Sequence, residues 1–183
     1  MFIVKKLRFL GLIIAVMAGI AVFAAPKAEA ATLNVDGSCT LNEAVSQIGA
    51  GTDGSGCVAT GTYGSSDTIN LPAGTTSLSQ SVSSFSITTP VLVKGTGRGQ
   101  TTINANSHEV FSVNTGGTLT VQDMTITGAA PYAVFADDAV SVTLQNVEIT
   151  NSSSVVKIMA KQILVENCLV HDNEETTNPT SFV

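Results

Sequence analysis

The chain has 183 residues, a formal net charge of −6, no Trp and only 12% charged residues. That length suits a single domain with a real core. The shortage of basic residues excludes nucleic acid as a partner, since nucleic acid is held by basic patches, and it also excludes an acidic polysaccharide held by simple ion pairing.

At the N-terminus Lys5, Lys6 and Arg8 precede an uncharged apolar run from Phe9 to Ala25, and Ala28-Glu29-Ala30 follows as an A-x-A pattern. This is the plan of a cleaved secretory signal peptide, expected over residues 1–30. The rival is a membrane anchor, for which such a run lies at the short limit. A second cut after small residues is available behind Ala24, and no Cys stands at the junction to carry a lipid. Processing after Ala30 removes Lys5, Lys6, Arg8, Lys27 and Glu29, leaving four basic against thirteen acidic residues, a net charge of −9. The expected location is extracellular or on the cell surface, with no membrane association once the leader is gone. What remains is rich in Thr, Ser, Val, Asn and Gly, a strand-and-turn composition.

Residues 31–66 read as an N-terminal cap. Thr40 and Glu43 fit a capping box, and Leu41, Ala44, Val45 and Ile48 follow at helical spacing. The short helix they predict would plug the open end of a repeat structure, which otherwise exposes an edge. Outside the cytoplasm, Cys39 and Cys57 are placed to pair across the Gly-rich stretch from Gly49 to Gly64. The alternative is three unrelated thiols, Cys168 being the third.

Residues 67–172 carry a repeat. Leu119 to Gly128, Val142 to Asn151 and Ile163 to Asp172 superimpose without a gap. Their apolar columns are Leu119/Val142/Ile163, Val121/Leu144/Val165, Met124/Val147/Cys168 and Ile126/Ile149/Val170. A spacing of two within each pair marks strands with one face inward. The inward set then shifts by three, which requires a corner. Asp123, Asn146 and Asn167 occupy that corner, and Asn and Asp tolerate the left-handed backbone a tight corner demands. Stacked there, their side chains form a structural ladder from coil to coil. A third strand per coil recurs at Val110 to Val113, Ala133 to Ala136 and Val155 to Ile158. The pattern predicts an all-β, right-handed parallel β-helix with three short strands and roughly 21–23 residues per coil. The Leu-dominated pattern of a leucine-rich repeat is missing. Asp67 to Leu71, Ser84 to Ile87, Pro90 to Val93 and Thr102 to Asn104 read as strands of earlier coils. Gly95-Thr-Gly-Arg-Gly99 reads as a simple turn, because no helix follows it as a phosphate-cradling loop requires. Cys168 is expected to be buried, like Met124 and Val147 in its column. Asn173 to Val183 is a polar tail without an evident cap, so the chain also reads as a truncated member of a longer architecture.

Cys39-Thr-Leu-Asn-Glu-Ala44 resembles the Cys-Ser-Leu-Arg-Glu-Ala signature that opens many exported bacterial β-helix proteins, in the pectate-lyase-like superfamily. Thr40 and Asn42 depart from it. Asp67 to Leu71, the glycine turn between Val93 and Ile103 and the Thr-x-Ile ladder fit the same pattern, over roughly residues 32–172. The resemblance implies fold and a secreted or surface location. The wider group includes adhesins, passenger domains, polysaccharide lyases and hydrolases, so fold alone does not choose a function.

Candidate chemistry is sparse. Asp137-Asp138 is the adjacent carboxylate pair of the repeats, suited to half of a glycosidase acid/base set or to a cation, but better read as a polar corner. His171-Asp172 reads as surface, with His171 in the outward column of Thr127 and Thr150. Lys157 and Lys161 stand without a second basic neighbour, and Arg98 sits in the glycine turn, so a lyase's cation and base are not assembled. Repeats joined by three or four residues, as at Asn114 to Gly117 and Asn151 to Ser154, leave flat faces rather than a cleft. The expectation is a non-catalytic module for surface contact or adhesion, without catalytic residues, metal or cofactor, meeting a cell-surface or extracellular macromolecule. The rivals are a polysaccharide lyase or glycoside hydrolase, and a fragment without independent activity.

Overall fold

A computed structural model describes residues 29–174, apart from 55, 65 and 80–83. The expected leader, up to residue 28, and the tail from residue 175 lie outside the described residues. The described chain is an all-β parallel solenoid of about four turns with one short helix. Its strands are β1 (Thr32–Asn34), β2 (Asp67–Asn70), β3 (Gly74–Ser77), β4 (Phe85–Ile87), β5 (Pro90–Lys94), β6 (Thr101–Asn104), β7 (Phe111–Val113), β8 (Thr118–Thr127), β9 (Val134–Thr150), β10 (Val156–Glu166) and β11 (Leu169–His171). Helix α1 is Leu41–Ala50.

The strands stack into three parallel faces. The first runs β1, β2, β5, the first half of β8, the middle of β9 and the end of β10. The second runs β3, β6, the second half of β8, the end of β9 and β11. The third runs β4, β7, the start of β9 and the start of β10. The repeat segments read from the sequence are therefore present, but they run together: β9, at 17 residues, visits all three faces. Alternation supplies the core. Leu33, Ile69, Val93, Val121 and Leu144 lie in one register column, and none exceeds 2% exposure. Ile103, Ile126 and Ile149 form a second. On the third face Phe85 packs on Phe111 with ring centroids 5.9 Å apart.

Two corners per coil depend on left-handed backbone. Asp123, Asn146 and Asn167 have φ of 57°, 55° and 51°, and Asn151 and Asp172 follow at 50° and 52°. Asn146 donates to the Asp123 carboxylate at 2.7 Å and Asn167 donates to Asn146 at 3.1 Å. One coil earlier the same corner is the Gly95–Gly99 turn. A Cβ on Gly95 would run into the Asp123 carbonyl oxygen and the Thr101 side chain, so the loop can close over the corner only without one.

α1 forms as its start signals require. The Thr40 hydroxyl accepts the Glu43 N–H and the Glu43 carboxylate accepts the Thr40 N–H, and Gly51 ends the helix at φ 69°. Leu41, Ala44, Val45 and Ile48 are buried, and Val45 and Ile48 lie over Ile87 and Val91 of the first coils. A disulfide joins Cys39 and Cys57. Two strands outside the predicted set appear. β1 extends the solenoid back to Thr32 within the stretch read as a cap, and β3, Gly74-Thr-Thr-Ser77, has no apolar alternation to announce it. Cys168 corrects another expectation. It is half-buried, unlike Met124 and Val147, because no described coil lies beyond it to cover the column.

Candidate functional site

Three surface features collect the polar and titratable groups. The broadest is the outer side of the first face. In one register column stand Thr32, Thr68, Leu92, Thr120, Thr143 and Leu164, and in the next Asn34, Asn70, Lys94, Gln122, Gln145 and Glu166. Side chains in the second column bond along the stack: Asn70 donates to Asn34 at 3.0 Å, Gln122 to Gln145, and Gln145 to Glu166 at 3.0 Å. Six parallel strands at the usual spacing of roughly 4.8 Å make this a flat, ruled surface about 24 Å long. Threonines stack on threonines and amides on amides along the columns, interrupted by Leu92 and Lys94 in the third strand and ended by Leu164 and Glu166.

The second feature lies on the second face. Thr125 and Glu148 share one column, and His171 reaches back over Glu148 from the column of Thr150. The His171 ring contacts Glu148 Oε1 through Nε2 at 2.8 Å and Asp172 Oδ2 through Nδ1 at 2.7 Å. Glu148 Oε2 accepts the Thr125 hydroxyl at 2.9 Å, and Thr125 Oγ1 accepts the Gly99 N–H at 3.0 Å. Arg98, carried by the glycine turn, donates to the Asn167 carbonyl at 3.3 Å. The hydrogen bond from His171 holds the Glu148 carboxyl below its ordinary range, helped by the Thr125 bond and the charges of His171 and Arg98. His171 is raised, first by its bond to Glu148 and then by that to Asp172. The cluster is thus a small clamp of two carboxylates on an exposed imidazole. Both ring nitrogens are engaged, so neither presents a lone pair to a substrate proton as a general base must.

The third feature contains Asp137 and Asp138. With Ala139, Met159, Ala160 and Lys161 they line an open hollow of about 390 Å³. Asp138 has φ 52°, so it turns the chain from the third face to the first, the corner role read from the sequence. Lys157 is separate. Its Nζ lies 5.6 Å from the centre of the Phe135 ring, which stacks on Tyr132 at 5.7 Å. The structure therefore brings Lys161, but not Lys157, to the acidic pair. A further hollow of about 370 Å³, between α1 and β3, is bounded by Asp36 and Thr40. Both already serve the local backbone, Asp36 accepting from the Ser38 and Cys39 N–H groups.

Sequence reading missed the Glu148–His171 contact. Thr125, Glu148 and His171 are evenly spaced along the chain, a signal hidden because the last coil is shorter and sets His171 in another column. Among the described residues no group of three or more His, Cys, Asp or Glu is arranged to hold a metal ion, and no helix is long and apolar enough to cross a membrane. Comparison with known proteins finds no matching family model, no matching curated protein and no matching solved structure.

Proposed function

We propose that this chain is an exported, right-handed parallel β-helix of the CSLREA-signature type, whose leader ends at Ala30. Outside the cell it acts as a non-catalytic contact module, laying its flat first face against a cell-surface or extracellular macromolecule. The observation that carries the reading is the pair of in-register columns on that face, from Thr32 to Leu164 and from Asn34 to Glu166. Hydroxyls and amides recurring at strand spacing on either side of Leu92 and Lys94 match a partner that is itself periodic, such as a neutral polysaccharide chain. Flat arrays of this kind bind by area and many weak polar contacts rather than by enclosure.

Asp137, Asp138 and Lys161 around one hollow favour a second reading, a carbohydrate-active enzyme. A glycan-array and polysaccharide-depolymerisation screen of the exported protein, with added Ca²⁺, separates the two. The contact module binds without releasing product, and Thr120→Lys with Thr143→Lys abolishes binding while leaving the thermal midpoint within a few degrees. Product release that disappears on replacing Asp137 and Asp138 by Ala establishes the enzyme instead. A folded, β-rich sample that does neither supports a fragment without independent activity.

A further inference from the structure

Asp67 opens β2 with an inward side chain that is 1% exposed. Its Oδ1 accepts the Ala31 N–H at 2.9 Å, and its Oδ2 accepts the Gly64 N–H at 3.2 Å. Among the described residues the ion pairs are those of His171, in the last coil, so the carboxylate is supported in the structure by neutral amides alone. Burying a charge without a counter-charge is costly. The solenoid already holds Glu29 and Ala30 against Thr62, and Ala31 continues that hold. The Ala31 carbonyl accepts the Thr68 N–H at 2.8 Å, and Thr32 exchanges two backbone bonds with Thr60 at 2.8 and 2.9 Å. A cut after Ala30 would remove the bond from the Thr62 N–H to the Glu29 carbonyl, at 2.9 Å, and with it the Ala30–Thr62 bridge.

The nitrogen that meets Asp67 is the one that hydrolysis after Ala28-Glu29-Ala30 would free. Water breaks the Ala30–Ala31 peptide bond, the Ala30 carbonyl leaves as a carboxylate, and the Ala31 nitrogen becomes an α-ammonium. We propose that leader removal sets the Ala31 α-ammonium against the buried Asp67 carboxylate, an ion pair that exists only in the processed chain and completes the first coil. The inference rests on the leader ending at Ala30, as proposed above, and it gives processing a structural consequence. The precursor holds Asp67 with an amide, and the processed chain holds it with a charge-assisted bond.

Among the described residues Tyr63 faces Asp67, and Asp53 is bonded to the Tyr63 hydroxyl at 2.8 Å, while Asp36 and Glu43 of the same cap are bonded to the turn before the helix. Burial, then Asp53 and Asp67, push the Tyr63 phenol up to about 12, clear of the range in which an α-amine titrates. An α-amine paired with a carboxylate titrates above its ordinary value of about 7.7–8.0, whereas burial alone lowers it. The stability it contributes is therefore fully present below pH ~8 and lost as pH rises through the raised value.

The test uses protein exported from the full-length gene. Intact mass first reports the N-terminus; any start other than Ala31 overturns the leader reading and the ion pair with it. With Ala31 confirmed, an α-amine-selective acylating reagent at pH 7 is expected to modify Asp67→Asn at least tenfold faster than wild type. Equal rates overturn the ion pair while leaving the leader reading intact. Should Asp67→Asn fail to fold, ¹⁵N NMR titration of the wild-type terminal amine decides the matter. Titration above 8 supports the pair, and titration at or below the ordinary range overturns it.

Discussion

At the corner, one residue has two tasks. Asn146 holds φ 55° and links the ladder in both directions, donating to Asp123 and accepting from Asn167. An L-residue with a plain Cβ carries a penalty of about 1–2 kcal/mol in that conformation, which Gly escapes. Asn146→Ala is therefore expected to unfold more easily than Asn146→Gly, by about 1 kcal/mol in denaturant melts, although both lose the ladder. Equal losses would assign the position to hydrogen bonding alone. His171 belongs to the same scale. Its pKa is raised, so its contribution is complete below about pH 6.5 and fades as pH climbs through the folded value. Glu148 is lowered, so its contribution is complete above about pH 4.5 and fades as pH falls through its folded value. The gap in thermal midpoint between wild type and His171→Gln should be widest near pH ~5.5 and narrow on both sides. A gap that is flat with pH would mean that the clamp carries no net electrostatic weight.

Helix α1 shows how one element is defined by its ends. The reciprocal bonds between Thr40 and Glu43 satisfy two of the amide groups that a helix start leaves open. Thr40→Ala is expected to lower stability by about 1 kcal/mol, read as a shift in denaturant midpoint at constant slope. The Cys39–Cys57 bridge closes a separation of 18 residues around the helix and the Gly-rich stretch beyond it. This element was legible because its signals are local: a cap, a helical period and a left-handed Gly51. β3 was not legible. Gly74 to Ser77 are mostly exposed, and the segment is a strand because β6 pairs with it at four successive positions. Neighbour pairing overrides weak propensity in a sheet, and no local pattern records it.

For the whole molecule, the two ends of the stack differ. α1 covers the first coils, while in the last coil Ile163, Val165 and Val170 extend the buried columns yet are 50%, 56% and 48% exposed. A parallel edge with apolar residues in view invites pairing with another strand. The exposed column is expected to drive association with rising concentration, and Val165→Lys should suppress that association in light scattering without unfolding the preceding coils. Association unchanged by the lysine would place the contact elsewhere.

The sequence alone settles the periodic part of this protein. A steady solenoid-length repeat, alternation within each segment and Asn or Asp at each shift of the inward set are sufficient for a parallel solenoid, because every coil meets the same steric problem and solves it with the same residue types. The Glu148–His171–Asp172 clamp, the pairing of β3, the half-exposure of Cys168 and the meeting of Ala31 with Asp67 came only with the tertiary structure. Each joins residues in different coils or at an open end, where contact depends on coil length, loop path and what lies above or below. None of these is written in the local pattern, since a residue's partner in the next coil is chosen by the register of the whole stack.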